Sequence, residues 1–184
     1  SSANPAKLKV IAFPGAPNLP IFAAQEQGYF AEAGIEVDLT TTPSSVFQFE
    51  KLAAGEFDIA MTAFDNVVAY REGQGAAELA GMADFHVLMG ATQIELAFVT
   101  SPDVESYADL KGRSLALDAL ATGFAFVLYE MLARGGLAPD DYQRVAVGAT
   151  PDRWNAVKDG THAGTLTIEP FTSLARAAGF KVLE

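Results

Sequence analysis

The chain has 184 residues, half of them hydrophobic, which is enough to bury a core as one medium domain or two small lobes. Its 23 acidic against 12 basic residues leave a net charge of −11, which repels phosphate backbones and anionic lipid alike, so nucleic acid and anionic membranes are excluded as partners. Zero cysteines exclude disulfides, thiolate nucleophiles and Cys-ligated zinc, and no apolar run approaches the ~18 residues of a membrane span. The lead "SSANPAK" is polar with no apolar signal core, a start compatible with an export signal already removed.

Lys9 to Phe13 is a short β-prone run that stops at Pro14-Gly15, and the loop continues through Pro17, Asn18 and Pro20. From Ile21 the pattern turns helical, with breaks at Gly28 and Gly34. Ile35 to Thr40 alternates Ile35, Val37 and Leu39 with Glu36 and Asp38, the period of a half-buried strand near a sheet edge. Phe47 to Ala54 reads as a short amphipathic helix. Phe57 to Ala63 is almost wholly apolar after Asp58, which predicts a strand covered on both faces and lying mid-sheet. Asp65 and Asn66 are placed to cap a helix over Val67 to Arg71, ended by "EGQG". Leu79 to Met89 and Ile94 to Thr100 read as extended, with the crossing between two lobes at Gly90 to Glu95.

The grammar then repeats. Strands are expected at Ser114 to Ala119, Gln143 to Val147, Gly164 to Ile168 and Lys181 to Leu183, and helices at Phe124 to Arg134, Pro151 to Lys158 and Phe171 to Ala178. Phe124, Val127, Leu128, Met131 and Leu132 form one apolar stripe, and Gly135-Gly136 stops that helix. Two runs of strand–helix alternation predict an α/β chain with mostly parallel sheets in two lobes, residues 1–92 and 93–184.

Parallel α/β sheets hold ligands at the carboxyl ends of their strands, where helix N-termini offer free N–H groups. That rule selects Asn18 to Ile21, Phe64 to Asn66, Leu120 to Phe124, Thr150 to Trp154 and Ile168 to Pro170. At Thr122-Gly123 the threonine is a good cap and the glycine permits close approach, which suits a ligand and an ordinary helix start equally. Asp65 reads as the cap of its own helix or as a group facing a cleft. Glu169 precedes Pro170, which suits a first helical position, and reads as a ligand contact or a cap-like group. Trp154, one turn into a helix that Thr150 can cap, reads as buried packing or as a ring against ligand. His86 and His162 stand apart, with no second histidine at ligand spacing, and read as structural or solvated. No nucleophile elbow or Walker loop is present, "GQGAAE" lacks the third glycine of a dinucleotide fingerprint, and nothing asks for a catalytic residue, a metal or a cofactor.

Four stretches in order, "AAQEQGYFAEAGIEVDL" from Ala23, "LAAGEFDIAMTAFDNVVAY" from Leu52, "SYADLKGRSLAL" from Ser106 and "IEPFTSLARAAGFKVL" from Ile168, resemble the periplasmic solute-binding proteins of ABC importers. The similarity is to the group that binds taurine, alkanesulfonates, nitrate and thiamine-pyrimidine precursors. It implies a two-lobed, type II periplasmic-binding-protein-like fold that closes by hinge motion on a small organic solute and delivers it to an ABC permease. The protein would then be periplasmic or otherwise exported. On this resemblance the ligand contacts fall among Asn18, Leu19, Phe64, Asp65, Asn66, Thr122, Gly123, Trp154 and Glu169. Members of this group cross back and finish the first lobe after a strand like Lys181 to Leu183, whereas this sequence ends there. An incomplete first lobe with exposed apolar surface is therefore expected, and a dimer through that lobe is one way to cover it. Two alternatives share the layout. One is an enzyme of the pyrimidine-precursor or menaquinone-pathway type, the former carrying a cysteine cluster that this chain lacks. The other is an effector-sensing domain, which would need a DNA-binding module before Lys7.

Overall fold

The computed structural model describes residues 4–79 and 84–183. The chain opens with β1 (Ala6–Ala12), α1 (Leu19–Glu26), α2 (Tyr29–Glu32), β2 (Ile35–Thr41), α3 (Ser45–Ala53), β3 (Ile59–Met61) and α4 (Phe64–Arg71). These strands form a parallel sheet in the order β2-β1-β3, with Ala6 opposite Ile35 and Val10 opposite Ile59. The alternation of β2 does what its period predicts: Ile35, Val37 and Leu39 are partly buried on an edge strand while Glu36 and Asp38 face water.

The second half contains β4 (Ala97–Thr100), β5 (Ser114–Leu117), α5 (Gly123–Arg134), β6 (Gln143–Ala146), α6 (Thr150–Lys158), β7 (Gly164–Thr167), α7 (Phe171–Ala177) and β8 (Lys181–Leu183). Its sheet runs β6-β5-β7-β4-β8, in which β5 is parallel to β6 and β7 while β4 is antiparallel to both β7 and β8. Phe98, Leu115, Leu117, Leu128, Leu132 and Leu166 pack into one buried cluster, and Val99, Trp154 and Ala175 form another on α6 and α7. Of 26 buried apolar residues among those described, only six precede residue 97. The first half is held mainly by Phe49, stacked on Tyr70 at 4.1 Å and met edge-on by Phe85 at 5.2 Å.

Three expectations need correction. β3 is not mid-sheet: among the described residues its one strand neighbour is β1, and Ile59, Ala60 and Met61 are only partly buried. Of the extended runs at Leu79 to Met89 and Ile94 to Thr100, residues 80–83 lie outside the described residues, and a strand forms only at Ala97–Thr100. Val87, Leu88 and Met89 are exposed and, among the described residues, pair with no strand. On α5 the buried face is Ala125, Leu128 and Leu132, and Val127 faces outward beside Phe126.

Leu128→Ala is accordingly expected to cost about 2–5 kcal/mol in denaturant unfolding, and Val127→Ala no more than about 0.5 kcal/mol. A second outcome concerns the turn before β5. There the Asp109 carboxylate accepts from the backbone N–H groups of Glu105 and Ser106, which holds its pKa below the ordinary 3.8. A depressed carboxylate contributes stability that is complete above its unfolded-state value and lost as pH falls through the lower folded value. Acid titration followed by NMR should find that resonance shifted down, and Asp109→Asn should remove this part of the acid dependence.

Candidate ligand site between the two sheets

The loop after β3 and the loop after β5 meet. α4 begins at Phe64 after an Ala63 cap that offers no side-chain bond, so Asp65 lies inside the first turn and does not cap its own helix. Its carboxylate reaches the other half instead, where Oδ2 accepts from the Gly123 N–H at 3.0 Å. Thr122 caps α5 as expected, its Oγ1 accepting from the Ala125 N–H at 3.2 Å. A Cβ on Gly123 would stand 2.3 Å from Asp65 Oδ2, so the glycine is required by the approach of this carboxylate.

A mirror contact lies close by in the chain order of both halves. Asp118 follows β5, and both its oxygens face the Ser45 N–H, at 3.0 and 3.2 Å, at the start of α3. Ser44 caps that helix by accepting from the Phe47 N–H at 3.1 Å. Two backbone bonds join the same edges: Ala149 N–H to Pro43 O at 2.7 Å and Ala16 N–H to Glu169 O at 2.9 Å. Gly148 has φ 112, and a Cβ there would sit 2.6 Å from Pro43 O, so a side chain would break this seam.

Within electrostatic reach of Asp118 is Arg153, only 4% exposed. Its Nε donates to Gly148 O at 2.8 Å, Nη2 to Thr150 Oγ1 at 2.9 Å, and Nη1 to Thr165 Oγ1 at 2.8 Å and to Leu166 O. Thr150 therefore serves Arg153 and not the α6 N-terminus, whose cap position is Ala149. Burial pulls the Arg153 pKa down to about 10, with Asp118 opposing, which leaves the group charged at neutral pH.

The sequence-selected residues divide. Leu19 and Phe64 are 67% and 68% exposed at the openings of α1 and α4. Asn18 is buried and donates to Phe13 O at 2.7 Å, fixing the loop after β1, and Asn66 donates to Thr62 Oγ1 at 2.9 Å. Glu169 folds back on α7, accepting from Ser173 N–H at 3.1 Å and Ser173 Oγ at 3.0 Å, while Pro170 is the cap of α7 and not its first residue. Trp154 is packed edge-on to Phe180 at 4.9 Å inside the core. His86 is exposed beside Asp84, and His162 Nδ1 lies 2.8 Å from Ser114 Oγ. Sequence reasoning missed Ser45, Asp118 and Gln48. "TPSS" before α3 and the aspartate ending β5 were the available signals; Gln48, a polar residue on an amphipathic helix, gave none. Two surface grooves of about 460 and 310 Å³ share Phe126 on the outer face of α5, away from these contacts.

Residues 17–179 match the family model described as NMT1/THI5 like, and the chain belongs to that family. No curated protein matches it in sequence. Among solved structures it is similar to the periplasmic nitrate-binding protein NrtA from Synechocystis PCC 6803, with a TM-score of 0.78 and 15% identity over 97% of this chain and 51% of that one. It is similar to the alkanesulfonate-binding protein SsuA from Xanthomonas axonopodis pv. citri, solved with MOPS, at 0.65 and 17% over 99% of this chain and 61% of that one. A ligand-binding component of an ABC-type import system from Staphylococcus aureus, solved with zinc, gives 0.72 and 13% over 97% and 60%. The fold is thus that of the periplasmic binding proteins, and the chain spans little more than half the length of these structures.

Replacing each bridging carboxylate separates their contributions. Asp65→Ala is expected to cost about 1 kcal/mol in urea unfolding, the net worth of a typical hydrogen bond, since water screens the charge of this half-buried carboxylate. Asp118→Ala is expected to cost more, about 2–3 kcal/mol, because it also withdraws the negative charge that opposes the desolvation of Arg153. Equal losses would show that Arg153 does not depend on Asp118.

Proposed function

We propose that this member of the NMT1/THI5-like family binds a small organic solute between its two sheets without turning it over, as the solute-binding part of an ABC-type import system. The observation that carries the reading is the Asp65–Gly123 bond: the strand-end loops of two separate sheets touch there through polar groups, which a ligand can replace. Leu19, Phe64 and Leu120, exposed in the loops that follow β1, β3 and β5, would supply apolar surface to the solute. In this reading residues 1–92 and 93–184 are the moving lobes, the irregular stretch at residues 90–95 is a hinge, and Asn18, Asn66, Thr122 and Glu169 hold the site loops in place. Trp154 supports α6 from the core. The relatives named as binding components of import systems support a permease partner and export of the chain. Among the described residues nine of the thirteen large exposed apolar side chains precede residue 97, which supports self-association through the first half.

A hydrolytic reading has one geometric point in its favour, the contact between Ser114 Oγ and His162 Nδ1. That pair stands at the amino end of β5, opposite the strand ends where the loops meet, and no described carboxylate bonds the imidazole. The test is a thermal-shift survey of amines, sulfonates and aromatic acids combined with native mass measurement of co-purified solute. A ligand at ~100 times its dissociation constant should add about 2.7 kcal/mol of stability and be recovered unchanged. Recovery of a chemically altered product overturns the non-catalytic reading.

A further inference from the structure

At both carboxylate bridges the first helical N–H is already taken by the protein's own side chain. On α5, Asp65 takes the Gly123 N–H and Thr122 takes the Ala125 N–H. On α3, Asp118 takes the Ser45 N–H and Ser44 takes the Phe47 N–H. Arg153, whose charge acts on Asp118, is buried and directed at neutral oxygens. An entering nitrate or sulfonate would have to displace a carboxylate and then sit beside its negative charge.

What is unmet at the junction is the capacity to accept. Among the described residues Asp65 Oδ1 accepts no hydrogen bond, since only Oδ2 is used by Gly123. The Gln48 side chain, fully buried, donates from Nε2 to Ile11 O at 3.2 Å and Met61 O at 2.9 Å, the carboxyl ends of β1 and β3. Among the described residues its buried Oε1 has no donor, and the buried Ser45 hydroxyl at the start of the same helix, which can donate or accept, has no partner either. A carboxylate oxygen with no donor, on the residue that follows the exposed phenyl ring of Phe64, suits a donor-bearing cation with an apolar body.

We propose that Asp65 is the specificity-determining residue of the site and that the solute carries a protonated amine on an apolar or aromatic frame. This rests on the reading that the space between the sheets binds a solute. The amine would pair with Asp65 Oδ1 while Oδ2 keeps its bond to Gly123, so that the ligand adds to the bridge between the halves.

The test uses the full chain and three probes of one shape: benzylammonium, benzyl alcohol and benzenesulfonate, with affinities read by calorimetry. Benzylammonium is expected to bind at least about tenfold more tightly than the other two, and raising the salt should weaken it. Asp65→Asn keeps an acceptor for the Gly123 N–H and should leave the unfolding midpoint in place while lowering benzylammonium affinity about tenfold and removing its salt dependence. Binding of benzenesulfonate as tight as that of benzylammonium, or unchanged amine affinity in Asp65→Asn, overturns the inference while leaving the solute-binding reading intact. Failure of all three probes and of the wider survey to bind the folded chain overturns both.

Discussion

Two carboxylates, each carried by one half and seated on the first N–H of a helix in the other, set how this protein holds together. Asp65 rests on α5 and Asp118 on α3, so each half supplies both an anion and a positive helix end. A seam of this kind differs from an apolar interface in one respect. Each bond exchanges readily for a bond to water or ligand, with a net worth of about 1 kcal/mol, so the halves are joined without being fused. The geometry is demanding all the same: Gly123 and Gly148 must lack side chains for the approach to occur.

The asymmetry of the core follows from what each sheet can cover. In the second half β7 is buried throughout, and helices α5 and α6 bury Leu128, Leu132, Trp154 and Val157 against the sheet. The buried guanidinium of Arg153 ties the α6 N-terminus to β7 through Thr165 and Leu166, so the helix and strand that flank the junction form one unit with the Asp118 loop above them. The first half has three strands and a small aromatic cluster of Phe49, Tyr70 and Phe85, and nine of its large apolar side chains among the described residues are exposed. Rigid support on one side and a lightly packed partner on the other make the second half the reference frame for any movement.

Much of this was legible in the residues because local chemistry decided it. The strict alternation from Ile35 to Leu39 marks an edge strand, and threonine followed by glycine marks the start of α5 to within a residue. The strands at Ser114, Gln143, Gly164 and Lys181 begin where turn residues and apolar runs meet. What failed to show was every partner distant in sequence. Apolarity placed β3 inside a sheet, but the number of its neighbours is a matter of topology, and it has one. Asp65 fits the local pattern of a cap, and only the fold sends it to a glycine 58 residues away. A lone tryptophan has no periodicity to betray which side it faces, and Trp154 turned to the core. Asp118 is hidden because the apolar run from Ser114 to Ala119 places it inside the expected strand, whereas β5 ends at Leu117 and leaves it in the loop.

The antiparallel pairing of β4 with β8 places Phe98 opposite Leu183, so the strand by which the chain enters the second sheet and the last strand described run side by side. Their separation is one strand spacing, about 4.8 Å. In engineering terms the second half is a cassette whose two ends emerge at a common point. It is suited to transplantation into a surface loop of an unrelated host, which would feel little strain at the splice. For the same reason a pair of distance probes placed on those two ends would read a constant value through any opening of the molecule, and would serve as the internal ruler against which a third probe elsewhere is judged.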